Sequence, residues 1–295
     1  MQHRIISGLV IGGLCLAIGF GGKRDRDVDR SLKKEYPDAQ TEVVGTHVSN
    51  GVKIFDVKIR DRHGESTASL TEFGDFIITG RPRGDWNVSR PAMDTLNGLF
   101  KRGQRDVDVY HVTNYLVDVW SDRKLFRLRF DPIGRLHDVD NEASIRKDEI
   151  QNFQRVNRDA RSLHADDYAH KYFADCKIRG VYLAPGLDDF FIVDMQQPDG
   201  YEARMTLNNE GRVFSEREQI DVHDIPPPVF AAIDGMFDRT HIERAYRYEY
   251  EYYQFDKVTN GGDHVSVQVR PNGDVLSVTN ESFIRADEAR RHDTR

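Results

Sequence analysis

Leu128-Arg-Phe130-Asp-Pro-Ile-Gly134-Arg-Leu136 is the stretch on which the fold turns, because the chain contains its pattern four times. The others read Ala68-Ser-Leu70-Thr-Glu-Phe-Gly74-Asp-Phe76, Met205-Thr-Leu207-Asn-Asn-Glu-Gly211-Arg-Val213 and Val267-Gln-Val269-Arg-Pro-Asn-Gly273-Asp-Val275. In each, apolar residues stand four and six positions before the glycine, a charged residue follows it, and an apolar residue stands two after. Alternation of that kind marks a strand with one buried face. The glycine supplies the positive φ of a hairpin turn.

Upstream of each glycine an aromatic residue closes a helical pattern. Tyr36, Phe100, Phe173 and Phe237 precede their glycines by 38, 34, 38 and 36 residues. Val28/Leu32/Tyr36, Ala92/Leu96/Phe100 and Val229/Ile233/Phe237 keep i, i+4 spacing, giving each helix an apolar stripe. Ser89 and Asp224, each two residues before a proline, read as N-caps, and Asp166-Asp167 opens the third helix with negative charge.

Between helix and glycine there is room for three strands, in the second copy 107–116, 117–120 and 124–130, with a fourth after the turn. The expected class is therefore α+β, four tandem units of one helix plus a four-stranded antiparallel meander. Their spans are 27–81, 89–145, 165–220 and 224–285. A unit of this size buries little apolar surface alone, so the copies are expected to pair into two modules. Residues 146–164, charged and rich in helix formers, read as a helical linker.

Residues 1–22 differ from the rest. A short basic head precedes Ile5–Gly22, which holds no charged residue, and Lys23-Arg24-Asp25 ends the run. This is the form of a signal peptide or a membrane anchor, and it implies an extracytoplasmic body, periplasmic, secreted or tethered by residues 5–22. Leu14 before Cys15 does not suit lipidation. Beyond this segment only Cys176 remains, which excludes an intramolecular disulfide framework and zinc sites built on paired cysteines. A net charge of −7 without a Lys/Arg block argues against nucleic acid.

The terminal aromatic helix (Tyr36-Pro37-Asp38-Ala39), the four strands and the apolar-x-apolar-x-x-x-Gly-charged-apolar motif resemble the PepSY-like group, which includes β-lactamase-inhibitor-like proteins of bacterial envelopes. The resemblance covers residues 27–285 and implies a non-enzymatic binding or inhibitory module that presents a sheet face and hairpin loops to a protein partner. It brings no catalytic residues and no cofactor.

Other clusters are weaker. His164, Asp166, Asp167 and His170 suggest a metal, but the two histidines lie about 120° apart on a helix, so a capped first turn with a solvated histidine is the better reading. His137-Asp138 and His223-Asp224 are adjacent, and neighbours on a strand point to opposite faces, which does not build a triad. Asp131, Asp138 and Asp140 lack calcium-loop spacing. Tyr246-Arg-Tyr248-Glu-Tyr250-Glu-Tyr252 is the most unusual run. As a strand it puts four tyrosines on one face and Arg247, Glu249 and Glu251 on the other. The tyrosines are expected to pack on the copy's helix with Tyr252, Tyr253 and Phe255 reaching solvent; exposed, the row would be a partner-binding surface. Trp120 and Trp86 are further interface candidates. The rival readings are an envelope scaffolding repeat and a metal-dependent hydrolase.

Overall fold

A computed structural model describes residues 26–84, 88–100, 106–147, 169–171, 173, 175–184, 187, 189–237, 241–258 and 264–279. Residues 1–25, Trp86, the linker beyond Lys147, and His164, Asp166 and Asp167 therefore lie outside the described residues, and with them the signal or anchor segment.

All four glycines occupy hairpins with positive φ: +89° at Gly74, +78° at Gly134, +79° at Gly211 and +93° at Gly273. Each turn closes in the same way. The glycine N–H donates to the carbonyl three residues back (Thr71, Asp131, Asn208, Arg270), and that residue's own N–H donates to the carbonyl after the glycine. The register slips identically too, pairing Leu70 with Phe76, Phe130 with Leu136, Leu207 with Val213 and Val269 with Val275.

The larger organisation departs from the sequence expectation. The chain does not form four helix-plus-meander units grouped in two modules. Among the described residues it forms a single antiparallel sheet of 14 strands, with 57% of those residues in strands and 20% in helices. In chain order these are helix α1 (Arg26–Glu35), strands β1 (Gln40–Ser49), β2 (Val52–Asp61), β3 (Gly64–Thr71) and β4 (Phe76–Gly84), then α2 (Arg90–Leu99), β5 (Asp106–Ser121), β6 (Lys124–Phe130), β7 (Leu136–Asn141) and α3 (Glu142–Lys147). The second half adds β8 (Lys177–Leu183), β9 (Phe190–Gln196), β10 (Glu202–Asn208), β11 (Val213–Ile220), a 3₁₀ turn (Val222–Asp224), α4 (Pro227–Met236), β12 (His241–Val258), β13 (His264–Val269) and β14 (Val275–Val278).

Two long strands explain the difference. The segments expected as 107–116 and 117–120 are one 16-residue strand, β5, and β12 runs for 18 residues. Each has too many backbone groups for one neighbour, so it takes two on one side, end to end. The first half of β5 pairs with β4 and the second half with β6; β12 pairs likewise with β11 and then β13. Along their other sides β5 and β12 pair with each other, from Val107↔Phe255 to Trp120↔His241. The strand order is therefore the same moving outward from either member of this central pair, to β1 on one side and β8 on the other.

Helices α1, α2 and α4 and the Ala169/Phe173 stripe share one face, and two of these helices are exchanged. Helix α1 lays Val28 and Leu32 on Phe55, Val57, Ile59, Ala68 and Leu70 of its own strands. Ala169 and Phe173, all that is described of the third helical stripe, pack on Val181, Val193 and Met205. Helix α2, however, buries Ala92, Leu96 and Phe100 against Tyr253 and Phe255 of β12 and Val265, Val267 and Val269 of β13. Reciprocally, α4 places Val229 and Ile233 on Val117, Val119, Leu128 and Phe130 of β5 and β6. The turn glycines seal the exchange. A Cβ on Gly134 would strike the carbonyl of Pro228 in α4, and one on Gly273 would press on the carbonyl of Pro91 in α2. Ser89, expected to cap α2, makes no cap hydrogen bond; its hydroxyl donates to the Pro271 carbonyl, while Thr95 donates to that of Gly273 at 2.8 Å. Asp224 does not cap α4 either, since it closes the 3₁₀ turn that Asp221 opens.

Candidate binding face

Side chains alternate across a strand, so register decides which residues share a face. On β12 the helix-bearing face takes Ala245, Arg247, Glu249, Glu251, Tyr253 and Phe255, opposite the odd-numbered residues of β5. The other face takes Tyr246, Tyr248, Tyr250 and Tyr252, opposite Leu116, Asn114, Val112 and Tyr110. The tyrosine row is thus one-sided, as its spacing requires, but it points away from the helices. Tyr252, Tyr253 and Phe255 do not reach solvent; they are 8%, 0% and 3% exposed.

The reversal has a packing cause. α2 and α4 sit at opposite ends of the central pair, so the apolar residues needed beneath them are Ala245 at one end of β12 and Tyr253 and Phe255 at the other. The stretch between, Arg247 to Glu251, falls in the gap between the helices and is filled with ions. Arg247 lies 3.3 Å from Glu249 and 3.7 Å from Glu218, and buried Glu251 pairs with Arg212 at 2.6 Å. Glu216 is the cross-strand partner of Glu249. Burial, and next the Glu249 charge, push its carboxyl up to about 7. Burial likewise raises Asp75, which accepts a hydrogen bond from the Tyr115 hydroxyl at 3.3 Å.

The face opposite α1, α2 and α4 is aromatic and rich in arginine. Tyr110 and Tyr252 stack with centroids 5.2 Å apart, and Tyr248 and Tyr250 stack at 5.4 Å. Burial raises the Tyr110 phenol to about 12. Tyr246, 2% exposed, lies between two guanidiniums, Arg217 at 4.9 Å and Arg127 at 5.7 Å from its ring. Arg127 grips fully buried Asp118 with both ends, at 2.7 and 2.8 Å. Arg204 reaches Asp194 at 3.1 Å and Arg129 reaches Asp138 at 3.2 Å. Trp120, at the end of β5 on the same face, donates its ring N–H to Glu243. Of the five partner-binding candidates named from sequence, Tyr248, Tyr250 and Trp120 retain partial solvent access, whereas the rings of Tyr246 and Tyr252 are buried. Sequence reading missed the arginines. Their signal was the alternation in Lys124–Phe130 and Glu202–Asn208, which places Arg127, Arg129 and Arg204 on polar positions of half-buried strands.

The remaining candidates do not assemble a site. Among the described residues no group of three or more His, Cys, Asp and Glu side chains could hold a metal ion. Asp131 serves its turn, accepting from the Arg135 N–H at 2.8 Å with His137 3.4 Å away. Cys176 lies 3.7 Å from His170 Nδ1, but burial raises its thiol. An open groove of about 470 Å³ runs along Lys124–Phe126 and Asn141–Ala143, away from these groups. No helix among the described residues is long and apolar enough to cross a membrane. Comparison with models of known protein families and with curated proteins finds no match.

Proposed function

We propose that this chain is an extracytoplasmic, non-enzymatic binding protein of the PepSY-like, β-lactamase-inhibitor-like kind, which engages a protein partner through the tyrosine-bearing face of its sheet. One observation carries the reading. A broad strip of sheet, rich in tyrosine and arginine, lies on the face opposite α1, α2, α4 and the Ala169/Phe173 stripe, with Tyr248, Tyr250 and Trp120 partly exposed along it. Tyr, Trp and Arg dominate binding hot spots because they combine large contact area with a directed polar group. Here they stand on paired strands, which fixes their positions before a partner arrives and lowers the ordering cost of binding. The resemblance of the four turn motifs to the inhibitor-like group supports the same use of a sheet face.

The test uses the full chain as bait against an envelope extract. One stoichiometric partner should be retained by the native chain, lost by Tyr248→Ala/Tyr250→Ala, and kept by Phe230→Ala, which alters exposed Phe230 on the opposite side in α4. Equal retention by the double variant, or no specific partner at all, would refute it.

A further inference from the structure

We propose that the centre of this face holds a carboxylate-recognising subsite, built from Arg217, the hydroxyl of Tyr246 and Arg244, that takes an aspartate or glutamate side chain from the partner; the proposal rests on the binding-face reading above. Five arginines point to this face from β6, β10, β11 and β12. Arg127, Arg129 and Arg204 each hold a carboxylate within 3.2 Å, on Asp118, Asp138 and Asp194. Arg217 is different: among the described residues it forms no ion pair, and its contact is the face of Tyr246 at 4.9 Å. Burial and the nearby charges of Arg204 and Arg127 hold its guanidinium down to about 10. A half-buried cation flanked by two others, with an aromatic ring against it and the nearby acid Asp194 already paired to Arg204, has room for an anion.

A second, independent observation lies beside it. Arg244 Nε is a buried donor without a hydrogen-bond partner, its nearest carboxylate oxygen being Asp118 Oδ2 at 3.7 Å, outside hydrogen-bond range. Arg244 and Tyr246 stand two residues apart on the same face of β12, and Arg217 lies against the Tyr246 ring, so the three side chains are neighbours. Among the described residues that hydroxyl makes no hydrogen bond, so the spot offers two guanidiniums and one phenolic donor. A carboxylate, with two oxygens and about four lone-pair positions, can satisfy this set. The chemistry favours a single negative charge. The other guanidiniums already hold acids, which leaves Arg217 as the one charge to be met. A phosphate dianion would bring a second charge close to Asp118 and Asp194. Tyr248 and Tyr250, next along β12, would then pack on apolar groups flanking the acid, so the occupant is a protein segment with an acidic residue among apolar ones.

Isothermal titration of the full chain with an oligoglutamate peptide tests this, with the oligoglutamine counterpart and inorganic phosphate as controls. Oligoglutamate should bind, weaken with added salt, and lose tenfold or more in Arg217→Gln, with a smaller loss in Tyr246→Phe, which removes only the hydroxyl. Circular dichroism establishes that both variants fold; should Arg217→Gln not fold, the loss in Tyr246→Phe alone decides. Absence of binding, equal binding by Arg217→Gln and Tyr246→Phe, or phosphate competing as well as oligoglutamate would each overturn the subsite. Partner capture separates the two ideas. A partner lost by Tyr248→Ala/Tyr250→Ala but kept by Arg217→Gln sinks the subsite alone, and a partner kept by both sinks the binding face with it.

Discussion

Replacing Glu216 by glutamine should stabilise the protein in alkaline solution and leave it unchanged in acid. Glu216 stands beside Glu249 in the ion-filled gap between α2 and α4, and burial with that neighbouring charge raises its carboxyl from 4.5 to about 7. Between those values the native state keeps a proton that the unfolded chain has released. The native state then binds more protons, so stability falls as pH rises through this window. At about 1.4 kcal/mol per pH unit between the two states, the whole interval of about 2.5 units corresponds to at most about 3.5 kcal/mol. Partial solvent access brings the expectation to about 1.5–3 kcal/mol. Glutamine copies the protonated acid in shape and hydrogen bonding, so it removes the penalty without opening a cavity. Urea unfolding at pH 4, 6 and 8 should give wild-type and Glu216→Gln curves that coincide at pH 4 and separate progressively above pH 5, the variant being more stable. A difference that does not change with pH, or a variant less stable at pH 8, would refute the reasoning.

Gly273→Ala and Gly134→Ala should each cost about 2 kcal/mol or more by thermal melting, combining left-handed strain with contact against an exchanged helix; Gly51→Ala, at φ +76° with open space around it, should cost only about 1 kcal/mol. Asp118→Ala should destabilise by about 3–5 kcal/mol, because it strands the buried Arg127 guanidinium, whereas removing both partners together should cost less than Asp118→Ala alone. Chain cleavage at a protease site placed between residues 148 and 168 should leave two fragments that elute together on size exclusion at the intact size, since α2 and α4 each pack across the central pair; separate fragments would contradict the exchange.

The turns were legible and the assembly was not, for a physical reason. A hairpin is decided within nine residues by alternation and one glycine, so all four could be read directly. Which sheet a helix covers depends on partners more than a hundred residues away, and the stripes Ala92/Leu96/Phe100 and Val229/Ile233/Phe237 are chemically interchangeable. The length of β5 was readable in principle. From Val107 to Trp120 there is no glycine and no proline to end a strand, and splitting it at Leu116 imposed four strands where the residues offered no turn. The tyrosine row shows the same limit. Period two assigned Tyr246–Tyr252 to one face, but hydropathy alone placed that face beneath a helix. The helices instead cover the ends of β12, where the opposite residue set is apolar.

The central pair also sets a timetable for synthesis. Every register in β5–β12 joins residues separated by more than a hundred positions, Val107 with Phe255 at the far extreme. Made from its N-terminus, the chain has β5 long before β12 exists, and Tyr115, Val117 and Val119 then lack the helix that finally shelters them. Pairing of such high contact order is slow, and a bare strand of this length is an invitation to other chains. Completion of the native structure therefore waits for the last quarter of the polypeptide, and the nascent first half depends on remaining soluble until it arrives.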